Sequence, residues 1–290
     1  MVLQKISKPH NIKKRLAIEM IFYGAIATLT SLALLPLALI VFDILSNGIS
    51  VINWDFFTKL PVPVGESGGG ISNAIIGSLI LVSTASALCI PLGIGTGLFL
   101  SEFQETRFAS TVRTAADILQ GIPSIVIGIL AYIWIVVPLG GFSALSGGMA
   151  LGLMMLPAII RTTEESLLRV PRSLIEASLA LGAPYYKTVL SIALPLAMRG
   201  IGSGILLGLS RSLGETAPLL FTAFGNSFMA YNLFKPVNAM PLIIFNYAMS
   251  PYDDWQAQAW GTSLVLIVLV LGLNIITRSV ISNEKIDHSD

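Results

Sequence analysis

Histidine, cysteine and charge are all scarce in this chain. The two histidines, His10 and His288, sit in opposite tails, which excludes a histidine-based metal site, and the single Cys89 excludes an internal disulfide. No Gly-x-x-x-x-Gly-Lys-Ser/Thr phosphate loop occurs, since the glycine-rich stretches 93–97 and 200–208 have no following Lys-Ser/Thr. Any ATP-derived energy must come from another chain. The carboxylates are scattered and no Ser/His/Asp or Cys/His arrangement is visible, so the chain is read as a non-enzyme that needs no cofactor. A net charge of +1 leaves no electrostatic footprint for nucleic acid.

What remains is apolar. Hydrophobic residues make up 54% of the chain and charged ones 11%, against about 25% charged in soluble domains. This is the composition of an all-α, polytopic membrane protein. The apolar run 18–45 exceeds the roughly 7–15 residues of a signal-peptide core and reads as a retained first transmembrane helix after a basic tail, 1–17. Residues 46–70 read as an external loop whose Gly68-Gly69-Gly70 end is a flexible hinge by composition. Five further spans follow within 71–280, at about 71–100, 118–139, 144–163, 193–224 and 257–279, before a short tail, 281–290. Six crossings place both termini on one side. Of 17 Lys and Arg residues, Lys59 and Lys235 fall on the opposite side, Arg211 lies inside a span, and the other fourteen lie on the side of the termini. By the positive-inside rule that side is cytoplasmic.

The cytoplasmic connector 173–195 is more polar than its flanks. Ser173 followed by Glu176 has capping-box spacing, Gly182 can end a short helix in the left-handed conformation, and Pro184 can open a second one. Around Gly121-Ile122-Pro123-Ser124 a kink is expected, with Gly128 allowing a neighbour to approach closely. Pro36, Pro91 and Pro157 read as packing kinks. The segment 223–256 reads as a long external loop with a short interfacial helix near Met240–Met249.

Two charged groups stand out. Arg211 and Glu215, four apart in the fifth span, fall on one helix face near or beyond mid-membrane, among Gly208, Ser210, Ser212, Gly214 and Thr216. An intramembrane charge costs about 2.5 kcal/mol or more, so the pair is either a structural salt bridge or an anion-binding rung facing an aqueous path. Arg161 and Glu164, at spacing three, close the fourth span at its cytoplasmic end and carry the same two readings.

These stretches also carry a resemblance. Glu176-Ala177, Gly182 and Leu194-Pro195 resemble the EAA loop of ATP-binding-cassette importer permeases, with Ser178 where Ala is usual. Together with the glycine-rich start at 68–77, Gly121-Ile-Pro-Ser, Arg161-Thr-Thr-Glu-Glu165 and Ser210-Arg-Ser-Leu-Gly-Glu-Thr-Ala-Pro-Leu-Leu220, the sequence resembles the A-type permease family of bacterial phosphate-specific importers over roughly residues 18–280. The resemblance implies a type I importer permease fold in the bacterial inner membrane, with a cytoplasmic coupling helix. It implies a sister permease, two ATPase subunits docking at Glu176, Ala177 and Gly182, and a phosphate-binding protein. It also implies roles in phosphate passage for Arg161, Glu164 and Arg211. Two rivals stay open: a permease for sulfate or molybdate, and an ion-coupled secondary transporter, for which inverted repeats would be expected.

Overall fold

The structure, a computed structural model, describes residues 12–66 and 68–283; the histidines and most of both tails lie outside them. The elements in order are α1 (Ile12–Gly48), α2 (Trp54–Thr58), α3 (Ser72–Glu102), α4 (Arg107–Gly121), α5 (Ser124–Ala131), α6 (Val137–Leu139), α7 (Ala144–Leu168), α8 (Arg172–Ala180), α9 (Tyr185–Thr188), α10 (Leu194–Leu213), α11 (Ala217–Leu220), α12 (Met240–Ala248) and α13 (Asp253–Asn283). Five-residue π segments join α5 to α6 and α9 to α10. Among the described residues, five helices are long and apolar enough to cross a membrane, and the bent pair formed by α4 and α5–α6 makes up to six.

The bundle is built on α7. Helix α3 runs parallel to it, and glycines let the two backbones meet: a Cβ on Gly93 would stand 2.6 Å from Ile159 and one on Gly97 2.5 Å from Thr163. Helix α10 lies on another face, its Gly200 and Gly204 set directly against Ser166 and Thr162. Without a hydrophobic driving force between helices in lipid, such small-residue stripes supply the packing. The shared core gathers Leu81, Ala85, Cys89, Leu151, Met155 and Ile159, with Leu219 of α11 and Leu242 of α12. In α1, by contrast, nearly every described side chain is exposed; its last turn meets α13, where Gly48 abuts Trp260 and Leu264.

The span at 118–139 is not one helix. Pro123 forces Ile122 into extended backbone, and the chain bends by 107° between α4 and the run Ser124–Leu139. Only that run, roughly 24 Å long at about 1.5 Å per residue, continues the span. Helix α4 is amphipathic and buries Ala109 and Ala116 against Leu100 and Ile160. The span at 193–224 instead runs from Tyr185 to Leu213 and ends before Gly214. The short α11 then carries the chain on towards the start of α7, with Leu219 and Ala223 against Gly147, and a Cβ on Gly128 of α5 would lie 2.7 Å from Pro218.

Of the expected glycine hinge, Gly69 and Gly70 are packed in place, whereas nothing lies within 4 Å of where a Cβ on Gly68 would sit. A Cβ on Gly70 would stand 2.5 Å from the Asp55 carbonyl and 2.6 Å from that of Phe56, and Gly69 has φ +82°. Glycine serves here for close backbone approach, and Ile71 N–H donates to the Phe56 carbonyl at 2.9 Å. Pro36, Pro91 and Pro157 all lie within continuous helices.

The segment 222–239 closes one end of the bundle, over the start of α7. The N–H groups of Ser143, Ala144 and Leu145, which a helix start leaves unpaired, donate to the carbonyls of Thr222, Lys235 and Leu233. Asn73 donates to the Asn226 carbonyl at 2.7 Å, and Ser78 accepts from Met240 N–H at 2.9 Å. The short helix expected near 240 is present as α12, but it is not merely interfacial, since Met240, Leu242 and Ile243 are buried.

Candidate functional site

The end of the bundle opposite the segment 222–239 presents α8 and α9 as a compact pair. Gly182 takes φ +81°, its N–H donating to Leu179 and that of Ala183 to Ser178, which is the glycine-ended helix terminus expected from the sequence. Ser178 and Thr188 hydroxyls, both buried, meet at 2.9 Å and tie the two helices together. The capping box does not form. Pro171 occupies the N-cap position, so Ser173 lies inside the first turn and makes no cap. Glu176 instead borders a cavity of ≈ 500 Å³ lined also by Ser101, Glu102, Arg172 and Tyr185. Glu176, Ala177 and Gly182 are all exposed, and Leu181 between the helices is 89% exposed.

Above this pair, α4 lies against α7 and four charges interlock. Arg113 donates from Nε and Nη2 to Glu164 Oε1, at 2.9 and 2.6 Å. Arg161 donates from Nε to Asp117 Oδ1 at 2.9 Å and from Nη2 to Oδ2 at 2.7 Å. Arg161 and Glu164, expected to pair through their spacing, approach only to 3.8 Å. Glu164 is 5% exposed, and its Oε2 has no hydrogen-bond partner. Arg113 and Asp117 were not legible as site residues. The signal available was their i,i+4 spacing on an amphipathic helix, which places both on one face.

The second charged pair is separate. Helix α10 ends at Leu213, so Glu215 does not share a helix face with Arg211 as expected; it sits past the terminus and its Oε1 accepts from Arg211 Nε at 3.3 Å. Arg211 is 54% exposed and Glu215 19%. Its depth follows from packing. Gly208 contacts Met155, near the middle of α7, and Arg211 lies three residues further along. That places it within about one turn of the bundle's mid-level, on the order of 10 Å from Arg161 along the helix axes. Among the described residues no hydrogen bond or ion pair links the two groups.

The family model described as "Binding-protein-dependent transport system inner membrane component" matches residues 90–283. The chain is 43% identical over 248 residues to the phosphate transport system permease protein PstA of Xylella fastidiosa strain Temecula1, covering 85% of this chain and 86% of that one. It is 40% identical over 247 residues to PstA of Yersinia pestis, covering 85% and 84%. The chain belongs to the PstA family of phosphate transport system permeases. A probable PstA of Methanocaldococcus jannaschii is 34% identical over 272 residues, 93% of this chain and 96% of the relative. Among solved structures, a chain of an inward-facing methionine ABC transporter superposes with a TM-score of 0.57 at 20% identity, covering 73% of this chain and 93% of that one. The fold of this PstA-family chain is therefore that of ABC importer permeases. As in its family, it is a membrane subunit and not itself an enzyme.

Proposed function

We propose that this chain forms half of the inorganic phosphate pathway of an ATP-driven importer. Arg211 and Arg161 would act as successive anion rungs, and Glu215 and Glu164 would temper the local charge. The observation that carries this reading is Arg211: an ion-paired but half-exposed guanidinium near mid-bundle, beside small residues, in a PstA-family chain. Its planar fork can meet two phosphate oxygens at once. A neighbouring carboxylate can accept from a P–OH, which fully deprotonated sulfate lacks. Binding at each rung has to stay weak enough for the anion to leave.

As a multi-pass importer subunit of a binding-protein-dependent family, the chain works with a substrate-binding protein and with an ATPase that carries the hydrolysis. We assign the ATPase dock to α8 and its flanks, through Glu176, Ala177, Gly182 and Leu181, and infer a sister permease and two ATPase subunits. We place the chain in the bacterial inner membrane with residues 71–280 as the transport domain and both tails, 1–17 and 281–290, cytoplasmic. Arg107, Arg113, Arg169, Arg172 and Lys187 all cluster towards the α8 end, which supports that orientation.

The test is labelled-phosphate uptake into cells lacking this chain, with sulfate as control. Loss of phosphate uptake alone, restored by the chain, supports the assignment. Loss of sulfate uptake instead moves it to another oxyanion, and no loss of either contradicts it.

A further inference from the structure

Asp117 grips Arg161 as an oxyanion would. Nε and Nη2 of the guanidinium both reach Oδ1, at 2.9 and 2.5 Å, and Nη2 also reaches Oδ2 at 2.7 Å, so both carboxylate oxygens are engaged by the guanidinium edge that also recognises phosphate. Glu164, the nearer acid by sequence, is already committed: both short bonds to its Oε1 come from Arg113, leaving Arg161 at 3.8 Å from Oε2. The two pairs also differ in access. Arg113 and Glu164 are 26% and 5% exposed, whereas Arg161 and Asp117 are 34% and 46% exposed. Exposed ion pairs contribute little and exchange readily. Thus one pair is built to hold α4 on α7, and the other is open to competition by a soluble anion.

We propose that Asp117 is a positioning residue that acts as an internal stand-in for the anion at Arg161. By re-occupying the guanidinium it displaces phosphate towards the cytoplasm and keeps phosphate already there from binding back. This rests on Arg161 being an anion rung. Neutralising Asp117 should therefore leave Arg161 open to product. The importer should then be inhibited by phosphate on its ATPase side at concentrations where the unaltered protein is not.

The experiment uses the assembled importer in proteoliposomes. Initial uptake of labelled phosphate is measured against unlabelled phosphate added on the ATPase side, with co-purification of the ATPase as the check on assembly. For Asp117→Asn the half-inhibitory concentration should fall about tenfold, corresponding to about 1.4 kcal/mol, and Asp117→Glu should restore the original curve. Asp117→Ser serves if the asparagine variant does not assemble. A purely structural ion pair predicts lower uptake at every concentration with an unchanged half-inhibitory value, and that result overturns the proposal. Arg161→Gln separates the two levels of inference. If it transports normally, Arg161 is no rung and the underlying reading fails. If it is inactive while Asp117→Asn is inhibited as the unaltered protein is, only the stand-in role fails.

Discussion

Arg113 places two hydrogen bonds on one oxygen of Glu164, at 2.9 and 2.6 Å, although 51 residues separate them in sequence. The bond joins α4 to α7, and Glu164 is deeply buried with Arg113 as its close counter-charge, Arg161 standing off at 3.8 Å. Arg113→Ala should lower stability by at most about 3 kcal/mol, since breaking a buried pair costs more than removing it whole and Arg113 is itself partly exposed. Arg113→Ala with Glu164→Gln should recover most of that loss. Thermal unfolding of the detergent-solubilised chain checks both. A single variant as stable as the parent would contradict the clasp.

The seam between α10 and α7 gives a sharper contrast. Gly204 is pressed against Thr162, whereas Gly202, on the same helix, has nothing within 4 Å of where a Cβ would sit. Gly204→Leu should therefore abolish a folded, monodisperse protein, and Gly202→Leu should be tolerated. Size-exclusion profiles of the two variants decide it, and equal behaviour would contradict the packing.

At the α8–α9 tip, Gly182→Val demands φ +81° of a β-branched residue and should distort the end of α8. Leu181→Glu should disturb no internal contact but replace the exposed apolar tip with charge. Both should weaken co-purification of the ATPase while membrane insertion persists. Because no capping box forms, Glu176→Ala should leave α8 intact. Undiminished co-purification with Leu181→Glu would remove that residue from the docking surface.

Much of the architecture was legible because it rests on hydropathy and on residues with few conformational options. Long apolar runs marked the spans, Gly182 marked a helix end, and Met240 marked the start of a short helix. The errors have physical causes. A hydropathy window merges the apolar end of α4 with α5, although Pro123 breaks them apart. Pro171 starts α8 two residues before Ser173 and so defeats a capping box that spacing alone allowed. Gly70 signalled freedom in composition but meets carbonyls on several sides. Asp117 and Arg113 could not be linked to Arg161 and Glu164 from spacing, because the partners lie 44 and 51 residues away. Only the fold brings them together.

On the proposed pathway, Arg211 serves the anion and not merely its neighbour Glu215. Arg211→Gln alone should sharply reduce transport while assembly persists, because an amide is far less costly in the bundle than an unpaired charge. The double variant Arg211→Gln with Glu215→Gln removes the ion pair whole, which structural salt bridges commonly tolerate. Labelled-phosphate uptake by that double variant, with its ATPase partner shown to be bound, is the most direct measurement. Uptake should remain defective in the assembled complex, and recovery to near the unaltered rate would contradict the anion rung.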